Sequence, residues 1–125
     1  MPSKDVFASI GPKICKNDHL QCAEMRLVDL LMRDARKHGV PPWSSSEWIR
    51  RKFGKDVLIW RPLANGSLGC CVPCCLCRNM LQKMDFDIHV VTSDNETWFH
   101  GPVDLAPPSK MTSIQRHVFH HAKNL

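Results

Sequence analysis

The segment Pro73-Cys74-Cys75-Leu76-Cys77 opens a run of good helix formers, residues 74–83, that neither Gly nor Pro interrupts. Pro73 stands where the start of a helix tolerates its missing N–H. Cys74 and Cys77 are three residues apart, so on a helix their sulfurs lie on one face and can reach the same metal ion. The segment therefore predicts a helix that presents two thiolate ligands at its first turn.

A second uninterrupted run, residues 21–38, begins with Cys22-Ala23-Glu24, and its apolar residues recur at helical spacing. Gly39 and the prolines that follow it predict the end of this helix. If the two helices start side by side, Cys22 supplies a third thiolate and leaves the fourth tetrahedral position open. Three protein ligands and an open position are typical of catalytic zinc, whereas structural zinc usually has four protein ligands.

Four other segments have the patterns of strands. Residues 56–63 carry a continuous apolar run, which predicts a strand buried on both faces. Residues 87–92 are β-branched, and only four residues separate them from the apolar residues 97–99. A link of that length cannot hold a crossover helix, so these two strands are predicted to pair antiparallel. Residues 6–15 predict a strand or a tight hairpin.

Composition favours one domain, residues 1–125, because 125 residues with 43% hydrophobic content suffice for a single core. No apolar run approaches the ~20 residues that span a bilayer, which predicts a cytoplasmic protein with no membrane partner and leaves a nuclear one open. The formal charge of +5 favours a polyanionic ligand such as a nucleotide or nucleic acid.

Five of the seven cysteines fall within residues 70–77, too close together to bridge one another easily, which favours metal binding in a reducing compartment. Residues 41–55 are polar, with a short helix predicted at residues 47–53, and are interpreted as an insertion. Residues 109–125 are predicted to form a closing helix, and its inner face would carry Met111, Ile114, Val118 and Ala122.

Cys22-Ala23-Glu24 and Pro73 to Cys77 together resemble the signature of the cytidine deaminase superfamily, [His or Cys]-Ala-Glu followed by Pro-Cys-x-x-Cys, each motif opening a helix beneath a central sheet. The resemblance also takes in the strand at residues 56–63 and the one that follows the second helix. It implies an α/β fold, a three-layer αβα domain with a mixed sheet of about four or five strands. The predicted antiparallel final strands resemble those of the free-nucleoside branch of this superfamily. A cysteine in the first ligand position also resembles that branch.

The resemblance implies one Zn²⁺ held by Cys22, Cys74 and Cys77, with Glu24 as the catalytic residue that carries protons. The implied reaction is hydrolytic deamination of a cytosine-type base, in which zinc-bound hydroxide attacks the amino-bearing ring carbon. Cytidine, deoxycytidine or their nucleotides are the expected substrates, and a cytosine in a single strand is the alternative. Small deaminases of this type commonly oligomerise, so a homodimer or homotetramer is expected.

Substrate recognition is not assigned by the motifs. No Asn-Ala immediately precedes Cys22, whereas Asn17 stands five residues before it, and Asn17, Trp98 and Phe99 are the candidates for substrate contacts. The two aromatic residues are candidates because their rings can stack on a base.

Other interpretations stay open at this point. Cys70, Cys71, Cys74 and Cys77 have the composition of a four-cysteine structural site, in which case the chain would be a non-catalytic zinc-stabilised binding protein. His19 is an alternative ligand to one thiolate. Cys71 and Cys75 are predicted to pack as small apolar residues. The tail carries a second candidate metal pair, formed by His117 and His121, with His120 beside it.

Overall fold

The computed structural model describes residues 5–18, 20–69, 71–91 and 97–107 of the chain. Within these ranges it contains three α-helices and six strands. The elements in chain order are β1 (Phe7–Ile10), β2 (Lys13–Lys16), α1 (Ala23–Lys37), α2 (Ser45–Phe53), β3 (Asp56–Pro62), β4 (Leu68–Gly69), α3 (Cys75–Lys83), β5 (Asp87–Val91) and β6 (Trp98–Pro102). Single turns of 3₁₀ helix at Pro42–Ser44 and Val103–Leu105 precede α2 and follow β6.

The strands form a mixed sheet in the order β2-β1-β3-β5-β6, and the short β4 pairs with the end of β3. The pairing of β3 with β5 is parallel, and the other pairings are antiparallel. The predicted α/β class with a mixed sheet of about four or five strands is therefore confirmed, with five strands in the main order and the short β4 beside β3. It is consistent with a three-layer αβα fold, of which the described helices supply one outer layer.

The core lies between one face of the sheet and the three helices. Alternate residues of the strands point into it, as the period of two in a strand requires, and they meet apolar side chains from all three helices. The strand contributions include Ala8, Ile10, Val57, Ile59, Ile88 and Val90, and the helix contributions include Leu27, Leu31, Ile49 and Leu81.

The other face of the sheet is more open than the sequence suggested. Leu58 lies between the buried Val57 and Ile59 and is 40% exposed. The prediction that residues 56–63 form a strand buried on both faces is therefore wrong for the described part of the chain. None of the described helices packs on that face, where Trp60 is instead partly covered by a stacked ring, that of Phe7, at 5.3 Å between centroids.

The described chain contains two hairpins. Residues 6–15, for which the sequence predicts a strand or a tight hairpin, form the hairpin, and the predicted antiparallel pairing of the final two strands is confirmed. β1 and β2 pair antiparallel around Gly11, whose φ of +52° is a turn conformation that glycine adopts without strain. β5 and β6 also pair antiparallel, with His89 opposite His100 and Val91 opposite Trp98. This is the antiparallel arrangement that the short separation of the two segments in the sequence predicts.

Residues 41–55 are joined to the core rather than lying outside it. α2 begins at Ser45, two residues before the predicted start, and the Ser45 hydroxyl donates a hydrogen bond to the Pro41 carbonyl at 3.0 Å. Ile49 is fully buried against α1 and the sheet, and Trp48 packs its ring against His38 at the end of α1. The interpretation of this segment as an insertion stays a prediction.

Arg78 ties α3 to the chain that follows β6. Its guanidinium donates hydrogen bonds to the carbonyls of Pro107 at 2.7 Å, Ala106 at 2.8 Å and Val103 at 3.1 Å. Three carbonyls on one guanidinium make a rigid fork of charge-assisted bonds, so the segment at residues 103–107 is fixed beside the first turn of α3.

The predicted closing helix at residues 109–125 lies outside the described residues. Of the helices that are described, none combines the length and the apolar character required to cross a membrane.

Replacing Ile49 with Ala should destabilise the protein by about 2–5 kcal/mol, because it empties a fully buried position between α2 and the core. Ile14→Ala on the exposed face of β2 is the matched control and should change the unfolding free energy by roughly 0.5 kcal/mol or less. Urea unfolding of both variants measures the difference. Equal, small effects would mean that α2 contributes little to the core.

Candidate metal centre

The sulfur atoms of Cys22, Cys74 and Cys77 converge, and all three lie within 4.8 Å of one another. Cys77 is buried, Cys74 is half-buried and Cys22 is exposed. The group is therefore closed on the core side and open to solvent on the side of Cys22. Three thiol groups at this separation could hold one metal ion.

The N-termini of two helices bring these sulfurs together. Cys22 is the N-cap residue of α1, and its carbonyl accepts the Arg26 N–H at 3.1 Å. Cys74 is the N-cap residue of α3, and its carbonyl accepts the Arg78 N–H at 2.8 Å. Both caps are extended, as N-caps usually are. Negative thiolates are favoured here, because unpaired N–H groups give a helix N-terminus a partial positive charge.

The segment that leads into α3 is hydrogen-bonded to both parallel strands, to the last residue of β5 and to the middle of β3. The Cys71 N–H donates to the Val91 carbonyl of β5 at 3.2 Å, and its thiol donates to the Ile59 carbonyl of β3 at 2.9 Å. In open α/β sheets, ligands bind in the crevice outside the carboxyl ends of the strands. The three sulfurs therefore lie close to the part of the fold where binding sites commonly form.

The thiols perturb one another strongly. The Cys77 thiol hydrogen-bonds the Cys74 sulfur, and with the backbone N–H groups of Cys77 and Leu76 it lowers the pKa of Cys74 to about 5, against the opposing effect of burial. The same hydrogen bond, followed by burial, raises the pKa of Cys77. Burial is the main cause of the raised pKa of Cys22. One of the three sulfurs is thus favoured as a thiolate even without an ion.

Glu24 lies against this group without being one of its members. It is only 5% exposed, and its carboxyl interacts with the Cys77 thiol. Burial, with a smaller contribution from the charge of Cys74, raises the pKa of Glu24 to about 7. The carboxyl is therefore held where it can be protonated or ionised near neutral pH, which is the property that a proton carrier needs.

Among the described residues, no other cysteine joins the convergent group of Cys22, Cys74 and Cys77. The thiol of Cys71 is buried and bonded to a carbonyl, and it does not belong to the convergent group. Its prediction as a small packed residue is confirmed. The corresponding prediction for Cys75 is wrong, because this residue is exposed: it follows the N-cap and lies on the outer side of α3. Cys70, His19 and the tail histidines lie outside the described residues.

The three candidates for substrate contacts have different surroundings. Asn17 closes the first hairpin, where its side-chain oxygen accepts the Val6 N–H at 2.8 Å. Phe99 is partly buried and packs against the core. Trp98 is 51% exposed and pairs with Val91, whose carbonyl accepts the Cys71 N–H. Of the three, Trp98 offers an accessible ring at the end of the sheet that also carries the cysteines.

No protein family model matches the chain, and neither a characterised protein nor a solved structure matches it. The likeness to the cytidine deaminase superfamily therefore rests on the two motifs, and the site must be judged on its own geometry. That geometry brings the three cysteines of the motifs to one point and places their glutamate beside it.

A second convergent group, Asp56, His89 and His100, lies on the open face of the sheet. Sequence analysis missed it because its members belong to three strands and form no local motif. The signal that could have found it is the register of the final hairpin, which places His89 and His100 directly opposite each other.

The raised pKa of Glu24 predicts a pH dependence of the metal-free protein. A pKa of 4.5 in the unfolded chain and about 7 in the fold means that the folded state binds the proton more tightly. Stability is therefore greatest when the group is protonated and falls as the pH rises to about 7. Relative to Glu24→Gln, the wild type should lose about 2–3 kcal/mol of unfolding free energy between pH 5 and pH 8.

Chemical denaturation with chelator and reductant present, at several pH values, measures this difference between the two proteins. Glu47→Gln, in the first turn of α2, is the matched control and should follow the wild type. Parallel stability curves for wild type and Glu24→Gln would mean that the buried carboxyl is not perturbed.

Proposed function

We propose that this chain is a zinc-dependent hydrolytic deaminase that acts on cytosine-type bases, namely cytidine, deoxycytidine or their nucleotides. The observation that supports this most is the buried Glu24 carboxyl beside three convergent cysteine sulfurs at two adjoining helix N-termini. A structural zinc site needs only the ligands. A hydrolytic zinc site also needs an acid–base group that does not bind the metal, and the buried Glu24 carboxyl beside the ligands fits that role.

The donor set fits zinc. Tetrahedral Zn–S bonds of ~2.3 Å place sulfurs about 3.8 Å apart, and the three sulfurs already lie within 4.8 Å of one another. Thiolate donors are soft and favour zinc over magnesium or calcium. When bound, zinc would supply Lewis-acid activation of water and of the base.

The chain's own residues would do the remaining work. Cys22, Cys74 and Cys77 are the ligands, and two helix N-termini favour their ionised sulfurs. The Glu24 carboxylate would accept a proton from the attacking water and pass it to the ring nitrogen. It would then accept the proton of the hydroxyl group added to the ring carbon and pass it to the amino group, which leaves as ammonia while the carbonyl forms. Cys77 and the surrounding core exclude water from the side of Glu24, while the exposed Cys22 side leaves a path for substrate.

A cytosine within a single strand is the second candidate substrate. The exposed Trp98 ring and the formal charge of +5 favour it, since stacking and phosphate contacts are the usual means of binding single strands. Oligonucleotide binding that weakens steeply with salt, and that Trp98→Ala weakens further, would favour this substrate over a free nucleoside.

Cys74→Ser should lose one equivalent of zinc per chain and lower the melting temperature, because the ion links the starts of α1 and α3. Cys71→Ser is the matched control: its hydroxyl can still donate to the Ile59 carbonyl, so its zinc content should be unchanged. Elemental analysis of the purified proteins measures this. Full zinc content in Cys22→Ala, together with zinc loss in Cys71→Ser, would assign the ion to a different cysteine set.

Glu24→Gln should keep its zinc but lose deamination by a factor at or beyond the upper end of the ~10²–10⁴ that general acid–base catalysis supplies. The amide retains the size of the side chain and removes the group that accepts and returns a proton. The absorbance change from cytosine to uracil or the release of ammonia follows the reaction. Glu47→Gln should react at the wild-type rate.

A zinc-loaded Glu24→Gln protein with near-wild-type turnover would remove this role from Glu24. If the zinc-loaded wild type deaminates no cytosine or adenine nucleoside, nucleotide or oligonucleotide, the result would favour a non-catalytic binding protein instead.

A further inference from the structure

Three metal-binding side chains from three different strands meet on the open face of the sheet. The Nε2 atom of His100 lies 3.3 Å from Oδ1 of Asp56, and the Nε2 atom of His89 lies 3.7 Å from the same oxygen. The two imidazole rings are stacked with their centroids 3.6 Å apart. The donor atoms of the three residues all lie within 4.8 Å of one another.

The register of the sheet fixes this arrangement. His89 of β5 is directly opposite His100 of β6 and is also the parallel partner of Leu58 in β3. Asp56 precedes Leu58 by two residues and so projects from the same face of the sheet. The three side chains are therefore held by backbone pairing on adjacent strands rather than by a loop.

The spacing is that of ligands around one small ion. Bonds of ~2.0–2.1 Å from zinc to imidazole nitrogen and carboxylate oxygen, arranged as a tetrahedron, separate neighbouring donor atoms by about 3.3 Å. The two nitrogen-to-oxygen distances, 3.3 and 3.7 Å, are close to that value. From this convergence of Asp56, His89 and His100 we propose a second metal site, which binds a divalent transition-metal ion of the class of Zn²⁺.

A hydrogen bond accounts for only part of the arrangement. His100 Nε2 and Asp56 Oδ1 are hydrogen-bonded at 3.3 Å, whereas His89 Nε2, at 3.7 Å from the same oxygen, lies beyond the usual hydrogen-bond range. A cation bound by all three residues would account for both nitrogens lying near one carboxylate oxygen. Because the two rings are nearly parallel, with 23° between their planes, metal binding would rotate the imidazoles so that both nitrogens point at the ion.

This site differs from the cysteine site in place and in chemistry. His89 lies between Ile88 and Val90, which point into the core on the face that carries the helices, so its own side chain is on the opposite face. Its donors are two imidazoles and one carboxylate, a set that suits zinc, cobalt, nickel and copper rather than magnesium or calcium. Three protein ligands leave one position for water or another molecule. The proposal does not depend on the deaminase activity.

Titration of the untagged, metal-free full chain with Co²⁺ separates the two sites. A thiolate site gives an intense sulfur-to-cobalt charge-transfer band, whereas a nitrogen and oxygen site gives only weak visible bands. The chain should bind two equivalents, of which one adds no charge-transfer absorption. His100→Ala and His89→Ala should each lower the Co²⁺ affinity of that equivalent at least about tenfold. Loss of a residue that only hydrogen-bonds a metal ligand already costs about that much, and loss of a ligand should cost more. Asp56→Asn should lower this affinity as well.

The charge-transfer band serves as the folding control, because it should be unchanged in the three variants. His38→Ala removes an exposed histidine at the end of α1 and should retain both equivalents. A further variant replaces the tail histidines His117, His120 and His121 with Asn and should also retain both. Mg²⁺ should not compete.

Binding of a single equivalent that carries the charge-transfer band would overturn the proposal, as would an equivalent without that band that persists in both His89→Ala and His100→Ala. Loss of the second equivalent in the tail variant would assign it to the tail instead. Absence of the charge-transfer band would count against the cysteine site alone, so failure of the deaminase proposal and failure of this one are distinguishable.

Discussion

The parallel pairing of β3 with β5 constrains the position of the convergent cysteines in this chain. Two parallel strands can be joined only by a connection that runs back along the sheet, and here α3 provides it. Its first turn must therefore start near the carboxyl end of β3. Cys71 secures that start with hydrogen bonds to both strands, which sets Cys74 and Cys77 beside Cys22, the N-cap residue of α1.

The electrostatics of the cysteine group follow from this placement. Three sulfurs and one buried carboxyl within a small volume cannot all be ionised in the absence of a cation, because like charges in a poorly solvated site repel one another. The protein resolves the conflict by sharing protons: the pKa of Cys74 is lowered, while the pKa values of Cys22, Cys77 and Glu24 are raised. A divalent ion would replace those protons on the sulfurs, and Glu24 would remain as the group that can still exchange one.

Local sequence patterns predicted the helices and strands well. They predicted less well which side chains are exposed and which side chains of different strands meet. Helical spacing after Cys22 and Cys74 and the short link between residues 92 and 97 act over a few residues, so both helices and the final hairpin could be predicted from the sequence. The exposure of Leu58 depends on which side of the sheet the helices cover, which no local pattern encodes. The meeting of Asp56 with His89 and His100 likewise depends on strand order and register. The cysteine motifs were found because each of them lies within a single turn.

The Arg78 fork has a consequence for communication along the chain. Arg78 follows Cys77 of the convergent cysteine group directly, and its guanidinium donates to the carbonyls of Val103, Ala106 and Pro107, so residues 103–107 are held against the turn that carries Cys74 and Cys77. Val103 and Ala106 also pack into the core beside α3. A binding partner or a neighbouring copy that displaced this segment would therefore act on the first turn of α3 and so on the spacing of the cysteine sulfurs.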